Sequence, residues 1–265
     1  MRRARTEMRA DILHVGVDVG TSATKAVVLD SRGALRARAL VRTGVHFERA
    51  AETALTEALQ RAEAKPDQPV HTVVCGYGRN NVSFADRRLP DLDCLARGAY
   101  ATFPRAITVV DVGAHDSTRI HLDEHGRRVG FTVNHNCAAG TGAFLEEIAL
   151  RLDVPVESLP MLAEKSGDLT VTLGSYCTVF AKGEILEKIR AGTRREDLAR
   201  AAIESVARRV VEKENLQGDV VASGGVVAHQ PLFVEILGEL LQGEVYVPNA
   251  PQFIGALGAA LLSQA

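Results

Sequence analysis

Two stretches of this 265-residue chain repeat one another at a single fixed offset, and nothing else in the sequence constrains the fold as tightly. Asp18-Val19-Gly20 recurs as Asp111-Val112-Gly113, Leu29-Asp30 as Leu122-Asp123, and Gly33 as Gly126, each pair 93 positions apart. Each copy reads as an apolar strand, a small-residue turn carrying an acid, a second strand, and a turn at Asp-x-x-Gly. A duplicated hairpin of this kind implies two similar lobes. They would present paired aspartates and glycine turns to one phosphate chain.

The rest of the chain alternates strands and helices. Apolar patterning places strands at 12–19, 25–30, 34–41, 70–75, 106–112, 219–222 and 245–247. Helical spacing covers 48–64, 91–101, 138–152, a stretch from Pro155 that fades near Gly167, 179–190, 195–215, 231–242 and 252–263. Strands first and helices afterwards, twice over, predict an α/β protein with mixed sheets.

Three glycine-rich elements carry the chemistry. In Asp18-Val19-Gly20-Thr21-Ser22-Ala23-Thr24-Lys25, small residues let the backbone approach phosphate oxygens, and successive N–H groups form an anion nest. Gly20, Thr21, Ser22, Thr24 and Lys25 are the expected phosphate contacts, joined by Gly113 of the second copy. Aspartates cannot bind phosphate directly, because like charges repel. Asp18 and Asp111 can hold Mg²⁺ through its waters. A single turn of this type is compatible with an ordinary hairpin; two in register argue for a site. The third element, Ser223-Gly224-Gly225-Val226, stands between a strand and a helix, where Gly224, Gly225 and Val226 would lie flat against adenosine.

Composition narrows the function by exclusion. A formal charge of −2 gives no electrostatic case for nucleic acid or an anionic membrane. Aromatics at 5% with no Trp argue against a base-stacking surface. No apolar run approaches the roughly 18 residues that span a bilayer, and the basic start lacks a signal-peptide core, so a cytoplasmic protein is expected. The four cysteines, Cys75, Cys94, Cys137 and Cys177, form no C-x-x-C pair, which does not favour a zinc ribbon.

The order of elements resembles the superfamily of acetate and sugar kinases, heat-shock chaperones and actin. That resemblance implies two ribonuclease-H-like lobes with ATP and Mg²⁺ in the cleft and hinge motion when the γ-phosphate leaves. The lobes are expected over 12–105 with 252–265, and over 106–251. The superfamily alone does not choose among kinase, chaperone and switch.

Cys137 and Cys177 choose. Each stands just ahead of an expected helix, where the dipole and free N–H groups stabilise a thiolate and any anionic cluster on it. A [4Fe–4S] cluster needs four thiolates, and a two-fold homodimer with both cysteines near its axis would supply them. Their surroundings, Cys137-Ala138-Ala139-Gly140-Thr141-Gly142 and Cys177-Thr178-Val179-Phe180-Ala181, resemble the BadF/BadG/BcrA/BcrD-type ATPases. These are the ATP-dependent activators of 2-hydroxyacyl-CoA dehydratases and the ATPase subunits of benzoyl-CoA reductases. The resemblance runs from about Val15 to Leu261 and includes Gly76-Tyr77-Gly78-Arg79, Cys94-Leu95-Ala96-Arg97-Gly98-Ala99 and Gly255-Ala256-Leu257-Gly258-Ala259-Ala260. It implies one [4Fe–4S] cluster per homodimer on the cysteines at positions 137 and 177. It also implies an electron taken from ferredoxin or flavodoxin and passed, under ATP hydrolysis, to an acyl-CoA dehydratase or reductase. Lifting a one-electron couple by about 300 mV costs roughly 7 kcal/mol, which nucleotide-driven domain movement could supply. Cys75 and Cys94 are expected to be structural, and Arg79 to pair with an acid or a partner chain.

The chain departs from that family at informative places. Activators usually carry Asp-Ile-Gly-Gly-Gln-Asp at the second phosphate loop, whereas this chain has Asp111-Val112-Gly113-Ala114-His115-Asp116. His115 stands where the glutamine is thought to orient the attacking water, so His115 and Asp116 are the candidates for that task. Asn134-His135-Asn136 and Lys182-Gly183-Glu184 replace the usual Asn-Asp-Lys and Glu-Ser-Glu, where an acceptor would dock. Two other functions fit the fold: a small-molecule, sugar-type kinase, and a nucleotide-gated scaffold without a redox role.

Overall fold

A computed structural model describes residues 12–264 apart from 135–139, 175–176, 213–215 and 217. The chain divides into two units, one formed by its first 98 residues with Gly255–Ala265, the other by Ala99–Ile254.

The first unit opens with β1 (Leu13–Val19), β2 (Ala23–Leu29) and β3 (Leu35–Arg42). It continues through α1 (Phe47–Arg61), β4 (Val70–Cys75) and β5 (Arg87–Arg88) into α2 (Asp91–Thr102). In the second unit follow β6 (Ile107–Val112), β7 (Ser117–Leu122), β8 (Arg128–Asn134), α3 (Gly142–Arg151) and α4 (Leu159–Ala163). Then come α5 (Thr178–Arg190), α6 (Arg195–Glu212), β9 (Val220–Ser223), α7 (Gly225–His229), α8 (Pro231–Leu241) and β10 (Val245–Tyr246). The last helix, α9 (Ile254–Leu262), returns the chain to the first unit.

Among the described residues each unit holds one five-stranded sheet, ordered β3-β2-β1-β4-β5 in the first and β8-β7-β6-β9-β10 in the second. In both, the first three strands are antiparallel neighbours and the last two join in parallel. The sequence repeat is therefore a repeat of geometry. Asp18 faces Lys25 across its ladder, and Asp111 faces Thr118, again 93 positions on. Both second hairpins slip register at equivalent points, Val28/Leu29 and His121/Leu122. Both turns close alike: Asp30 Oδ1 accepts the N–H groups of Arg32 and Ala34, and Asp123 Oδ1 those of His125 and Arg127.

The central strands are buried on both faces, as their Val-rich sequences require. In the first unit α1 lays Ala50, Ala51, Ala54 and Ala58 onto the sheet, small side chains that bring the helix close. On α9 the approach is closer still. A Cβ on Gly16 of β1 would collide with the backbone of Ala256 and Ala260, and one on Gly258 with the carbonyl of Cys94 in α2. The second unit has a larger core, built around Phe144, Leu145, Ile148, Ile203, Phe233 and Leu237 from α3, α6 and α8.

Several expected boundaries move. The helix expected over 138–152 begins at Gly142, because Gly140 has a φ of +81° and Thr141 is extended; its expected residues 138 and 139 lie outside the described residues. The stretch after Pro155 breaks into a 3-10 turn and the short α4. α6 is described to Glu212, and residues 213–215 of its expected span are outside the described set.

Candidate functional site

In the first hairpin Asp18 and Lys25 leave the same face of neighbouring strands, and Nζ lies 2.7 Å from Oδ2 in a largely buried ion pair. Backbone surrounds that carboxylate. Gly76, at φ +91°, stands where a Cβ would be 2.5 Å from Asp18 Oδ1, and a Cβ on Gly255 would be 3.4 Å from Oδ2. Gly78 donates its N–H to Val19 O at 2.9 Å. Gly20 closes the turn by donating to Ala23 O, leaving Thr21 half-buried and Ser22 exposed at the tip. Thr24 corrects the sequence reading. Strand alternation turns it to the opposite face from Lys25, where it is fully buried and bonded to Thr43 Oγ1 at 2.9 Å. Its hydroxyl is not available to a phosphate. Arg79 does meet an acid, Asp91, at 3.6 Å, and Asp91 also accepts the Gly76 N–H at 2.7 Å.

The second hairpin repeats this plan with different chemistry. Gly113 donates to Asp116 O at 2.9 Å, as Gly20 does to Ala23 O, and the Asp116 carboxylate closes over Gly113 so tightly that a Cβ there would strike it. In place of a cation opposite Asp111 stands Thr118. Ser223, fully buried at the end of the parallel neighbour β9, donates its hydroxyl to Asp111 Oδ1 at 2.6 Å, a charge-assisted bond that orients the carboxylate. The loop is also tied to a helix. Gly142 donates to Gly113 O at 2.9 Å and Ala143 to Ala114 O at 2.8 Å, so the first two N–H groups of α3 rest on the turn of the second hairpin. His115 is exposed beside them.

At the third element Gly224 has φ +99° and ψ 179°, a conformation open to glycine alone. A methyl group there would overlap the Val112 carbonyl oxygen and lie 2.7 Å from its carbon. Gly224 donates to Pro251 O at 3.0 Å, and Gly225 opens α7. Val226, read from sequence as an adenosine contact, turns its side chain into the core, where it is 5% exposed. Only its backbone remains for that role.

The cysteines divide by exposure. Cys75 and Cys94 are buried together; Cys75 Sγ reaches Gly255 O at 3.7 Å. Its hydrogen bond with Cys94, and then burial, push the Cys75 thiol well above its ordinary range, so it remains a protonated, inert thiol. Cys177 is exposed and occupies the N-cap of α5, where its carbonyl accepts the Ala181 N–H at 2.9 Å and its thiol makes no capping bond. Cys137 lies outside the described residues, five positions before the first residue of α3 rather than immediately ahead of it. An outward thiol at a helix N-terminus has the donor chemistry and electrostatics of an iron–sulfur ligand, so Cys177 fits that role. Lys182 of α5 pairs with Glu147 of α3 at 3.1 Å, and that contact, ahead of Arg151, holds the Glu147 carboxyl below the usual range. No group of three or more His, Cys, Asp or Glu able to hold a metal occurs among the described residues.

Sequence reading missed Ser223 as the partner of Asp111 and Gly76 and Gly255 as the walls around Asp18. The glycines were visible as motifs, but only long-range packing shows what they make room for.

Two such lobes, each with an acid-tipped hairpin, define the two-lobed ATPase fold shared with actin and the sugar kinases. A glucokinase of the ROK family from Streptomyces griseus shares this fold at TM-score 0.55 and 14% identity, covering 94% of this chain and 98% of that one. The chain belongs to the BadF/BadG/BcrA/BcrD ATPase family, whose family model matches residues 15–263. The activator of lactoyl-CoA dehydratase from Anaerotignum propionicum is 36% identical over 250 residues, 93% of this chain and 95% of the relative. Component A of (R)-2-hydroxyglutaryl-CoA dehydratase from Acidaminococcus fermentans superposes at TM-score 0.89 and 36% identity, covering 96% of this chain and 98% of that one. The activator of 2-hydroxyisocaproyl-CoA dehydratase from Clostridium difficile, solved with bound ADPNP, gives TM-score 0.87 and 33% identity over 95% and 94%. Among the described residues no helix is long and apolar enough to cross a membrane.

Proposed function

We propose that this chain is an ATP-hydrolysing reductive activator that passes a low-potential electron to an acyl-CoA dehydratase or reductase. The observation that carries the reading is the exposed Cys177 thiol at the start of α5, set against the buried pair Cys75 and Cys94. The names of the relatives, two of them activators of 2-hydroxyacyl-CoA dehydratases, support the acceptor class. Two copies of the chain, each contributing Cys137 and Cys177, would supply the four thiolates of one [4Fe–4S] cluster. When bound, that group supplies a one-electron carrier, loaded from ferredoxin or flavodoxin.

The protein's own part is to bind ATP and turn its hydrolysis into movement. Asp18 and Asp111 would hold Mg²⁺ through its waters, each as a single carboxylate rather than a direct ligand cage. Lys25 would exchange its bond to Asp18 for a phosphate oxygen. Gly20, Thr21, Ser22 and Gly113 would offer backbone N–H groups and hydroxyls, and Gly224 and Gly225 a flat backbone for adenosine. His115 or Asp116 would hold the attacking water; an imidazole can do so by accepting its proton side in a hydrogen bond. Loss of the γ-phosphate would move Gly113 and Ala114, and α3 would follow because its first N–H groups are bonded to them.

Iron and acid-labile sulfide analysis of anaerobically purified protein tests the reading. About four iron per two chains is expected, falling to background in Cys177→Ser without loss of the folded state, because the thiol is exposed. Colourless, iron-free wild-type protein would overturn it.

A further inference from the structure

A polar pair beside the third glycine element has no part in the roles above. Gln252 lies in the 3-10 turn Pro251–Phe253, and the carbonyl of its neighbour Pro251 accepts the Gly224 N–H at 3.0 Å. That bond fastens the turn to the glycine pair. Gly225 has no side chain to cover it, and a Cβ there would stand 3.5 Å from Gln252 Nε2. From the end of α7, His229 reaches Gln252 Oε1 through Nε2 at 3.2 Å. Gln252 is half-buried and His229 exposed, so neither is a core group bonded for the sake of burial.

We infer that Gln252, oriented by His229, reads the purine of the bound nucleotide and selects adenine over guanine. The inference rests on the nucleotide-binding reading of Gly224 and Gly225 given above. A carboxamide offers two N–H donors and one oxygen with two lone pairs. His229, with Nε2 protonated, donates to one lone pair and fixes which way the amide faces. Nε2 is then directed to the Gly225 side, and the second lone pair of Oε1 stays available. Adenine presents a ring-nitrogen acceptor next to the N6 amino donor, which matches one donor and one acceptor of a carboxamide. Guanine presents two acceptors, N7 and O6, on the corresponding edge, and Oε1 would face an oxygen. The mismatch leaves polar groups unpaired, which is how a hydrogen-bonding site rejects a near-isostere.

Steady-state hydrolysis of ATP, GTP, 7-deaza-ATP and purine riboside triphosphate, which lacks the N6 amine, tests the assignment. Wild-type protein is expected to favour ATP over GTP in kcat/KM. Gln252→Ala should lower that preference by about tenfold or more, the range a bidentate contact provides, with the change in KM for ATP rather than in kcat. Gln252→Glu, equal in size but without the donor, should lose the preference as well, and His229→Ala should lose part of it. Purine riboside triphosphate should be handled like GTP by the wild type and no worse than ATP by Gln252→Ala. An ATP-to-GTP ratio unaltered in Gln252→Ala overturns the inference, as does an equal fall in kcat for both nucleotides, which is the mark of a structural role. Wild-type protein that neither binds nor hydrolyses ATP would instead defeat the nucleotide reading itself, and this inference with it.

Discussion

Replacing Gly224 by alanine should unfold the second unit's sheet locally, whereas the same change at its neighbour Gly225 should not. At Gly224 two costs combine. The backbone at φ +99° and ψ 179° is strained for any residue with a Cβ, by about 1–3 kcal/mol. The methyl would also overlap the Val112 carbonyl oxygen and sit 2.7 and 2.8 Å from the Val112 carbonyl carbon and amide nitrogen, backbone atoms that cannot rotate away. β6 and β9 would have to part near the pairing of Asp111 with Ser223, and overpacking of this kind adds about 1–3 kcal/mol. Together they come to about 2–6 kcal/mol, which lowers the melting temperature by roughly 4–24 °C for a domain of about 150–250 residues. At Gly225 the new methyl would meet Gln252 Nε2 at 3.5 Å, an ordinary van der Waals contact with the end of a flexible side chain. Thermal and urea unfolding of both variants, with ATP binding by calorimetry, checks this. Equal urea midpoints for the two variants would refute the steric reasoning, because only one glycine is forced by geometry.

Two further outcomes follow from other parts of the fold. Gly258→Ala would drive a methyl into the Cys94 carbonyl and to 2.8 Å from the Gly98 nitrogen, so a loss of about 1–3 kcal/mol is expected in the urea-derived stability of the first unit; an unshifted midpoint would count against the close crossing of α9 and α2. Asp197 accepts hydrogen bonds from Ser166 Oγ and the Gly167 and Asp168 N–H groups, and the Asp168 bond above all holds its carboxyl below 3.8. Because the folded value is the lower one, its stabilisation is complete above about pH 3.8 and is lost as pH falls through that lower value. Asp197→Asn should be weaker than wild type by about 1.5–3 kcal/mol at pH 7, with the gap closing in acid; a gap constant with pH would show that the charge is not involved.

Much of the fold was legible because the duplication is local and periodic. Strand alternation, the acid at each strand end and the Asp-x-x-Gly turns are each set by a few neighbouring residues, and Asp30 and Asp123 indeed close their turns with the same pair of bonds. The start of α3 was less legible. Phe144, Leu145, Ile148 and Leu152 announce a helix, but apolar spacing does not register that Gly140 is left-handed and Thr141 extended. The burial of the Thr24 and Val226 side chains was not legible either, because it depends on Thr43 and on the helices packed around the second core, segments distant in the chain.

The sequence alone determined that there are two acid-tipped hairpins and which glycines punctuate them. All of that depends on backbone sterics and side-chain chemistry acting over a few residues. Tertiary structure alone decided that Ser223 serves Asp111, that Gly76 and Gly255 wall in Asp18, that Cys75 is buried against Cys94 while Cys177 is exposed, and that Gln252 stands over Gly225. Those pairings join segments far apart in the chain. They depend on where packed elements cross, and a local pattern holds no record of the crossing.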